Sequence, residues 1–568
     1  MKERIVLIIK KALQTLGYAD SGAFGVSDPP DDSLGDYASN AALIVSKQVG
    51  KNPMAIAAEL ALRLTDFEGK EIFSKVQAVA PGFINFTLAP VFLIKELKTV
   101  LRQKNKYARA NLGAGQKILV EYFQPNIAKP LHLGHLRTAI IGDALFKILN
   151  FTGFKVKSDT HLGDWGTQFG LLLAAYKLWG KPDAIAKDPI NELNKLYVRI
   201  NAESEKNPAL REKGKAEFLK LEKGDEENRK LWQKFADWSW PEFKAVYKFL
   251  QIRPADNNWG ESFYEDKMPA VVEKLKKQGL LISSEGAQIV DLSRFKLGVA
   301  VIIKSDGATT YLLRDLATFI YRKSLGFKRQ LYVVDTRQSH SLAQTFKILE
   351  CLGEITSPQE AVHVDFGYLS LPEGAMSTRR GTVIGPMELL RRAQEEVLKI
   401  IQQKNPDLQD KENIAWQVAR GAIKYFDLVH NRKSDIVFRW EEALSFEGNA
   451  GPYLQYTHAR AKSILRKKDD VDIPREPRFL FPEEWLLIRM MAKYSEVISE
   501  TALTLYPHYL AEYLFLLAGK FNNFYQKIPV LKEKDNTLRA SRLMLTAAAA
   551  QILKNGLELL GIEALEEM

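Results

Sequence analysis

Cysteine is all but missing: Cys351 stands alone in 568 residues. A single thiol rules out both a disulfide framework and a four-thiolate zinc site. Long hydrophobic runs are missing too, and no apolar stretch reaches the roughly 20 residues of a membrane span. The opening MKERIVLIIKKALQTLG is too short and too broken by lysines for a secretory signal, and reads as an amphipathic helix. A cytoplasmic protein with no membrane partner is the expectation. Histidine is scarce, with eight in the chain, so any clustering of it is informative. What is plentiful is hydrophobic content, 46% with 10% aromatic. At this length that suits a globular chain of about three or four domains. Lys and Arg exceed Asp and Glu by 80 to 69, a net charge of +11, which fits a polyanionic partner without requiring one.

Two of the eight histidines fall together in VEYFQPNIAKPLHLGHLRTAIIGDALFKIL, residues 120–149. The apolar run from Ile118 to Tyr122 reads as a buried strand, broken by Asn126 and Pro130. After HLGH, Leu136, Ile140, Ala144 and Ile148 recur every four residues and make one apolar helical face. The segment is therefore strand, loop, helix. His132, Gly134 and His135 sit where a helix start offers free N–H groups to an anion. Gly134 keeps a side chain from coming between backbone and ligand, and both imidazoles can donate to phosphate oxygens. By composition alone H-x-G-H should arise roughly 0.007 times in such a chain.

The rest divides by pattern. Residues 1–112 form an α+β unit, with strands around a Pro81-Gly82 turn in VQAVAPGFINFTL and a turn at Gly35 and Asp36 leading into a helix. Residues 113–385 form an α/β unit. In it HLGDWGTQFGLLLAAYKL gives a turn and a long helix, with Asp164 and Thr167 as candidate caps. A lysine-rich helical insertion spans about 180–293, and the α/β core is expected to resume with the strand VAVII at Val299. On the next helix Tyr311 and Asp315 lie four apart and share a face. A carboxylate facing inward needs a cation or donors, supplied either by a neighbour such as Arg314 or Arg322 or by a ligand. Gln338 falls in a loop on the ligand side of a doubly wound sheet. Residues 386–568 read as an α-helical bundle. In NAGPYLQYTHARAKSILRK, Tyr453, Tyr456, Arg460, Lys462 and Arg466 interleave aromatic rings with positive charge. That composition suits unpaired bases and phosphates, and an ordinary bundle surface explains it nearly as well.

HLGH resembles the HIGH motif of class I aminoacyl-tRNA synthetases, and PNIAKPLHLGHLRTAIIGDA resembles the arginyl members of that class. The resemblance runs through GDYASN, PGFINF, DWGTQ, GESFYEDKMP, the Tyr311/Asp315 helix and NAGPYLQYTHAR in family order. It implies a Rossmann-like catalytic domain, an N-terminal domain that contacts the tRNA elbow, and a helical anticodon-binding domain. It implies further that Asn126, His135, Tyr311, Asp315 and Gln338 bind arginine, with Gln168 and Glu261 as further site candidates. His132, Gly134 and His135 would hold ATP together with Met376 and Ser377. These last two belong to MSTRRG, which stands where class I enzymes carry the KMSKS loop. Thr378 replaces the loop's second lysine. In family members lacking that lysine, a lysine at the position of Lys129 is common, and Lys129 joins His132 and His135 as a catalytic candidate. The implied substrates are ATP, with Mg2+, L-arginine and tRNA(Arg), and a monomer is expected. No protein-built metal site is expected, and no side-chain nucleophile is evident. Two other readings stay open. One is a small-molecule adenylyltransferase, which would not require tRNA. The other is a tRNA-binding regulator, which would release no pyrophosphate.

Overall fold

The computed structural model describes residues 1–18, 23–66, 71–372, 385–467 and 473–568. In the N-terminal unit the alternating segment forms the strands Phe73–Val79 and Phe83–Leu88, paired antiparallel. With Tyr37–Ser39 and Val26–Ser27 they make a four-stranded antiparallel sheet. The helices Lys2–Thr15, Ala41–Val49 and Pro53–Asp66 complete this unit. The turn at Gly35 leads into the strand Tyr37–Ser39 before the expected helix begins at Ala41.

The central sheet is parallel throughout, with spatial order 361–363, 329–332, 117–121, 155–159. From Lys117–Glu121 the chain crosses to Lys155–Asp159 on one side and later returns to Arg329–Tyr332 on the other. The reversal opens a crevice beyond the carboxyl ends of Lys117–Glu121 and Arg329–Tyr332, the usual ligand position in a doubly wound sheet. The HLGH loop follows one of these strands and the Gln338 loop follows the other.

The insertion differs from the sequence expectation at its end. Its helices Pro189–Lys206, Pro208–Glu222 and Glu226–Leu250 form as read. The strand Val299–Ile303, however, does not rejoin the parallel sheet. It pairs antiparallel with Ala287–Asp291, which pairs with Ile282–Ser284. Local alternation marks a half-buried strand but not its partner.

The helix Leu133–Phe151 is buried on nearly every side, beyond the single apolar face its spacing predicts. It lies between the parallel sheet and the helices of the C-terminal half. Its polar residues are met from that second side. The guanidinium of Arg137, fully buried, pairs with Asp427 at 3.1 Å and donates to the Gly367 carbonyl at 2.7 Å. Asp143 pairs with Lys147 one turn on. In the bundle, Leu510, Leu514, Leu517, Phe521 and Phe524 along His508–Lys527 are all inaccessible, the buried stripe their spacing predicts.

Candidate functional site

His132 is the N-cap of Leu133–Phe151, in extended conformation, and His135 lies in the first turn. Their rings stack at 3.8 Å. The His132 backbone N–H donates to His135 Nδ1 at 3.1 Å. An accepting Nδ1 places the proton of the neutral ring on Nε2, so His135 presents a donor on its outer side. Burial lowers the pKa of His132, with Arg337 adding to the effect, and burial beside His132 lowers that of His135 further. Both rings are thus neutral donors until an anion arrives. A Cβ at Gly134 would come within 3.0 Å of the His132 ring, so glycine is what lets the ring lie against the helix start.

The loop rests on the insertion. The Ala128 N–H donates to Ser239 Oγ at 2.8 Å and the Leu131 N–H to Glu242 at 3.4 Å, both on Glu226–Leu250. Phe123 bridges the two, edge-on to His135 and to Phe243. The Lys129 ammonium donates to Gln168 at 3.0 Å and sits 4.4 Å over the Tyr197 ring. Burial lowers its pKa, and no carboxylate pairs with it among the described residues. Asn126 bridges to Gly163, where any side chain larger than hydrogen would overlap the Asn126 amide oxygen.

The opposite wall is acidic. Tyr311 and Asp315 share a face of Tyr311–Ser324, as their spacing predicts. Both arginines that could have neutralised Asp315 are committed elsewhere. Arg314 pairs with Glu261 at 3.0 Å and donates to Thr309. Arg322, fully buried, pairs with Glu121 and with Asp159 at 2.6 Å. Asp315 has no hydrogen bond or ion pair among the described residues. Burial, with Glu121 nearby, pushes its pKa up to about 7. Burial beside Glu261 pushes Tyr311 up to about 12.

Glu121 and Asp159 were not singled out in the sequence. They end adjacent strands in register, at the crevice edge of the sheet. For Glu121 the available signal was a carboxylate closing the apolar run Ile118–Val120, which must find a cation, whereas Asp159 closes the polar strand KVKSD and left no such mark. Asp164 does not cap the helix Thr167–Trp179, whose N-cap is Gly166. It accepts from the Ser262 N–H at 2.9 Å and hydroxyl at 2.6 Å, fastening the GESFY segment, and hence Glu261, to the site. Gln338 is exposed at the end of the turn Thr336–Gln338. Two other members of that loop, Asp335 and Arg337, act electrostatically on His132, so the loop faces HLGH across the crevice.

The basic helix Gly451–Arg466 is folded back on its own unit. Tyr453 accepts from Asn522, to which Arg460 donates at 2.7 Å while lying 4.7 Å over Tyr456. Lys462 pairs with Glu566 and Arg466 with Glu567, each at 3.2 Å. Met376 and Ser377 lie outside the described residues. Among the described residues no three His, Cys, Asp or Glu converge to hold a metal ion, so magnesium has no ready-made protein cage there.

Three family models match the chain in succession: the arginyl-tRNA synthetase N-terminal domain at residues 3–88, the class I (R) tRNA synthetase catalytic domain at 96–440, and the DALR anticodon-binding domain at 454–568. An arginine–tRNA ligase of Clostridium botulinum (strain Loch Maree / Type A3) is 42% identical over 543 residues, 95% of both chains. One from Clostridium kluyveri is 41% identical over 546 residues, again 95% of both. Among solved structures, the Thermus thermophilus arginyl-tRNA synthetase superposes with a TM-score of 0.83 at 29% identity, covering all of both chains.

Proposed function

Because the chain belongs to the class I arginyl-tRNA synthetases, we propose a division of labour among its residues for the reaction of that family, the ATP-dependent attachment of arginine to tRNA(Arg). An oxygen of the arginine carboxylate attacks the α-phosphorus of ATP. The bond to the bridging oxygen breaks, pyrophosphate leaves, and arginyl-adenylate forms. The 2′-hydroxyl of the terminal tRNA adenosine then attacks the arginyl carbonyl carbon, loses its proton and displaces AMP.

The guanidinium of the substrate is held by Asp315 and Tyr311, while Asn126, His135 and Gln338 contact the arginine elsewhere along its length. A planar fork of donors meets a carboxylate better than a lysine ammonium does. His132, Gly134 and His135 hold ATP, joined by Met376 and Ser377. Negative charge grows on the phosphates as the α-phosphate bond breaks, and donors already aimed at it lower the barrier without reorganising. Lys129 follows the departing pyrophosphate. Magnesium rides on the ATP phosphates and neutralises part of their charge. Residues 1–112 and 386–568 carry the elbow and anticodon ends of the tRNA. On the helix Gly451–Arg466, Tyr453, Tyr456 and Arg460 meet RNA directly, and Lys462 and Arg466 do so by exchanging Glu566 and Glu567 for phosphate. The protein acts as a cytoplasmic monomer.

The observation that carries this reading is Asp315, partly buried, with its pKa raised and no partner among the described residues, while the two nearest arginines are each held by other carboxylates. That arrangement reserves it for a cation from outside. Amino-acid-dependent ATP–pyrophosphate exchange, scanned over all twenty amino acids with and without tRNA, tests it. Exchange confined to arginine and dependent on tRNA is expected. Exchange with another amino acid, or none at all, would overturn the assignment.

A further inference from the structure

At the end of the helix Pro90–Gln103 the chain makes a tight turn through Lys104–Lys106. The turn and its flanks line an open groove of about 660 Å3 with Arg102, Lys104, Lys106 and Arg109 and with no carboxylate. All four cations are exposed, and none forms an ion pair with any described residue. Some exposed lysines elsewhere pair with a local glutamate, as Lys195 does with Glu192, Lys215 with Glu212 and Lys276 with Glu273, whereas this turn gathers four cations without an ion pair between residues 102 and 109. A charge run is ordinarily a solvated face, but such a face needs no fixed shape.

This turn is held firmly. Asn555 donates to the Lys104 carbonyl at 3.0 Å and Gln551 to the Asn105 side chain at 2.8 Å, both from the helix Asn536–Leu559. Tyr107 is buried and stacks on Tyr494. Lys104 and Ala108 adopt positive φ, at 49° and 65°, a conformation that persists only where the surroundings enforce it. Four like charges thereby stand on a fixed stretch of backbone, with their side chains exposed.

We propose that this turn clamps the sugar-phosphate backbone of tRNA, reading charge and not base. The inference rests on the tRNA reading above. The groove presents no aromatic or aliphatic side chain, the component a protein interface core or an inserting membrane face would need. Cations lining one concavity suit a polyanion, because each phosphate held releases counterions.

The test is binding of fluorescently labelled tRNA(Arg) transcript by the full chain, across about 50 to 200 mM salt. It compares wild type with Arg102→Gln/Lys106→Gln and with the variant that also carries Lys104→Gln and Arg109→Gln. With the double-helical DNA coefficient as a guide, the slope of log affinity against log salt should become shallower by about 0.9 for each phosphate no longer neutralised, or roughly 1.8 and 3.6. The arginine KM in pyrophosphate exchange at saturating tRNA should stay where it is. Equal slopes for wild type and the double variant would overturn the clamp, as would loss of binding to anionic phosphatidylserine vesicles with tRNA binding intact. The double variant alone decides the matter if the fourfold one fails to fold. Should the slopes flatten while wild-type protein fails to charge tRNA with arginine, the clamp stands and the ligase reading falls.

Discussion

Two helices of this protein carry a tyrosine and a charged residue four positions apart: Tyr311 with Asp315, and Tyr456 with Arg460. Their surroundings diverge. Arg460 lies over the Tyr456 ring and donates to Asn522, and its neighbours Lys462 and Arg466 hold Glu566 and Glu567. Asp315 has no such partner among the described residues, because Glu121, Asp159 and Glu261 occupy the arginines around it. Spacing brings a ring and a charge together in both cases. Only the neighbours decide whether the charge is already satisfied or is kept for a ligand.

The sharpest way to break the comparison is Asp315→Asn. On the proposed reading it removes the carboxylate that faces the guanidinium, and it should lower kcat/KM for arginine by about 2–5 kcal/mol while barely moving the KM for ATP. Steady-state kinetics with each substrate varied in turn would show this, and unchanged arginine parameters would remove Asp315 from the site.

Lys129 comes next, a cation whose partner is the neutral Gln168. Lys129→Ala should slow adenylate formation in single-turnover kinetics by roughly 10²–10³-fold, by analogy with removal of one preorganised donor. The ATP KM should change little, since charge accumulates on pyrophosphate only as the bond breaks. Lys129→Arg should restore part of the loss. If Arg379→Ala or Arg380→Ala loses the chemical step while Lys129→Ala keeps it, the role belongs to the loop.

A smaller effect follows from pH. Asp315 titrates near 7 in the ligand-free protein and binds a guanidinium only when ionised. The arginine KM should therefore rise about tenfold per unit as pH falls below 7, and Asp315→Asn should flatten that profile. The effect on stability has the opposite sign. Between the ordinary carboxylate range and pH 7 the folded state holds more protons at this position than the unfolded state. This residue therefore makes the ligand-free protein more stable as pH falls through 7, and less stable as it rises. Thermal melts with and without saturating arginine would separate the two.

The smallest change is expected from Lys462→Ala with Arg466→Ala. Each side chain must first leave a glutamate, an exposed pair that contributes no more than about 1 kcal/mol, so the tRNA KM should rise modestly and its salt dependence flatten. Wild-type tRNA affinity at every salt concentration would mean that the basic stripe is only a solvated face that keeps its glutamates.

The strand, loop and helix around HLGH were legible because chain-local periodicity specifies them, and so was the shared face of Tyr311 and Asp315. The partners of Arg314 and Arg322 were not. They depend on which strand ends lie side by side, as Glu121 and Asp159 do, and register between distant strands leaves no local mark. Val299–Ile303 misled for the same reason, and Asp164 looked like a cap because its true partner, Ser262, lies 98 residues away. The full burial of Leu133–Phe151 was hidden by Arg137 and Asp143, polar residues that would normally mark a solvent face.

Arg137 also bears on modularity. Composition divides the chain near residue 386, as though the catalytic part could be cut free of the helical part. Yet this guanidinium, two residues past His135, reaches Asp427 beyond the division. A fragment ending there would keep the cation in its interior and lose the carboxylate, a loss of about 3–5 kcal/mol for a broken buried pair. The helix that presents both histidines is thus completed by residues from the other side of the apparent boundary, and a cut placed at that boundary would divide one buried charge pair.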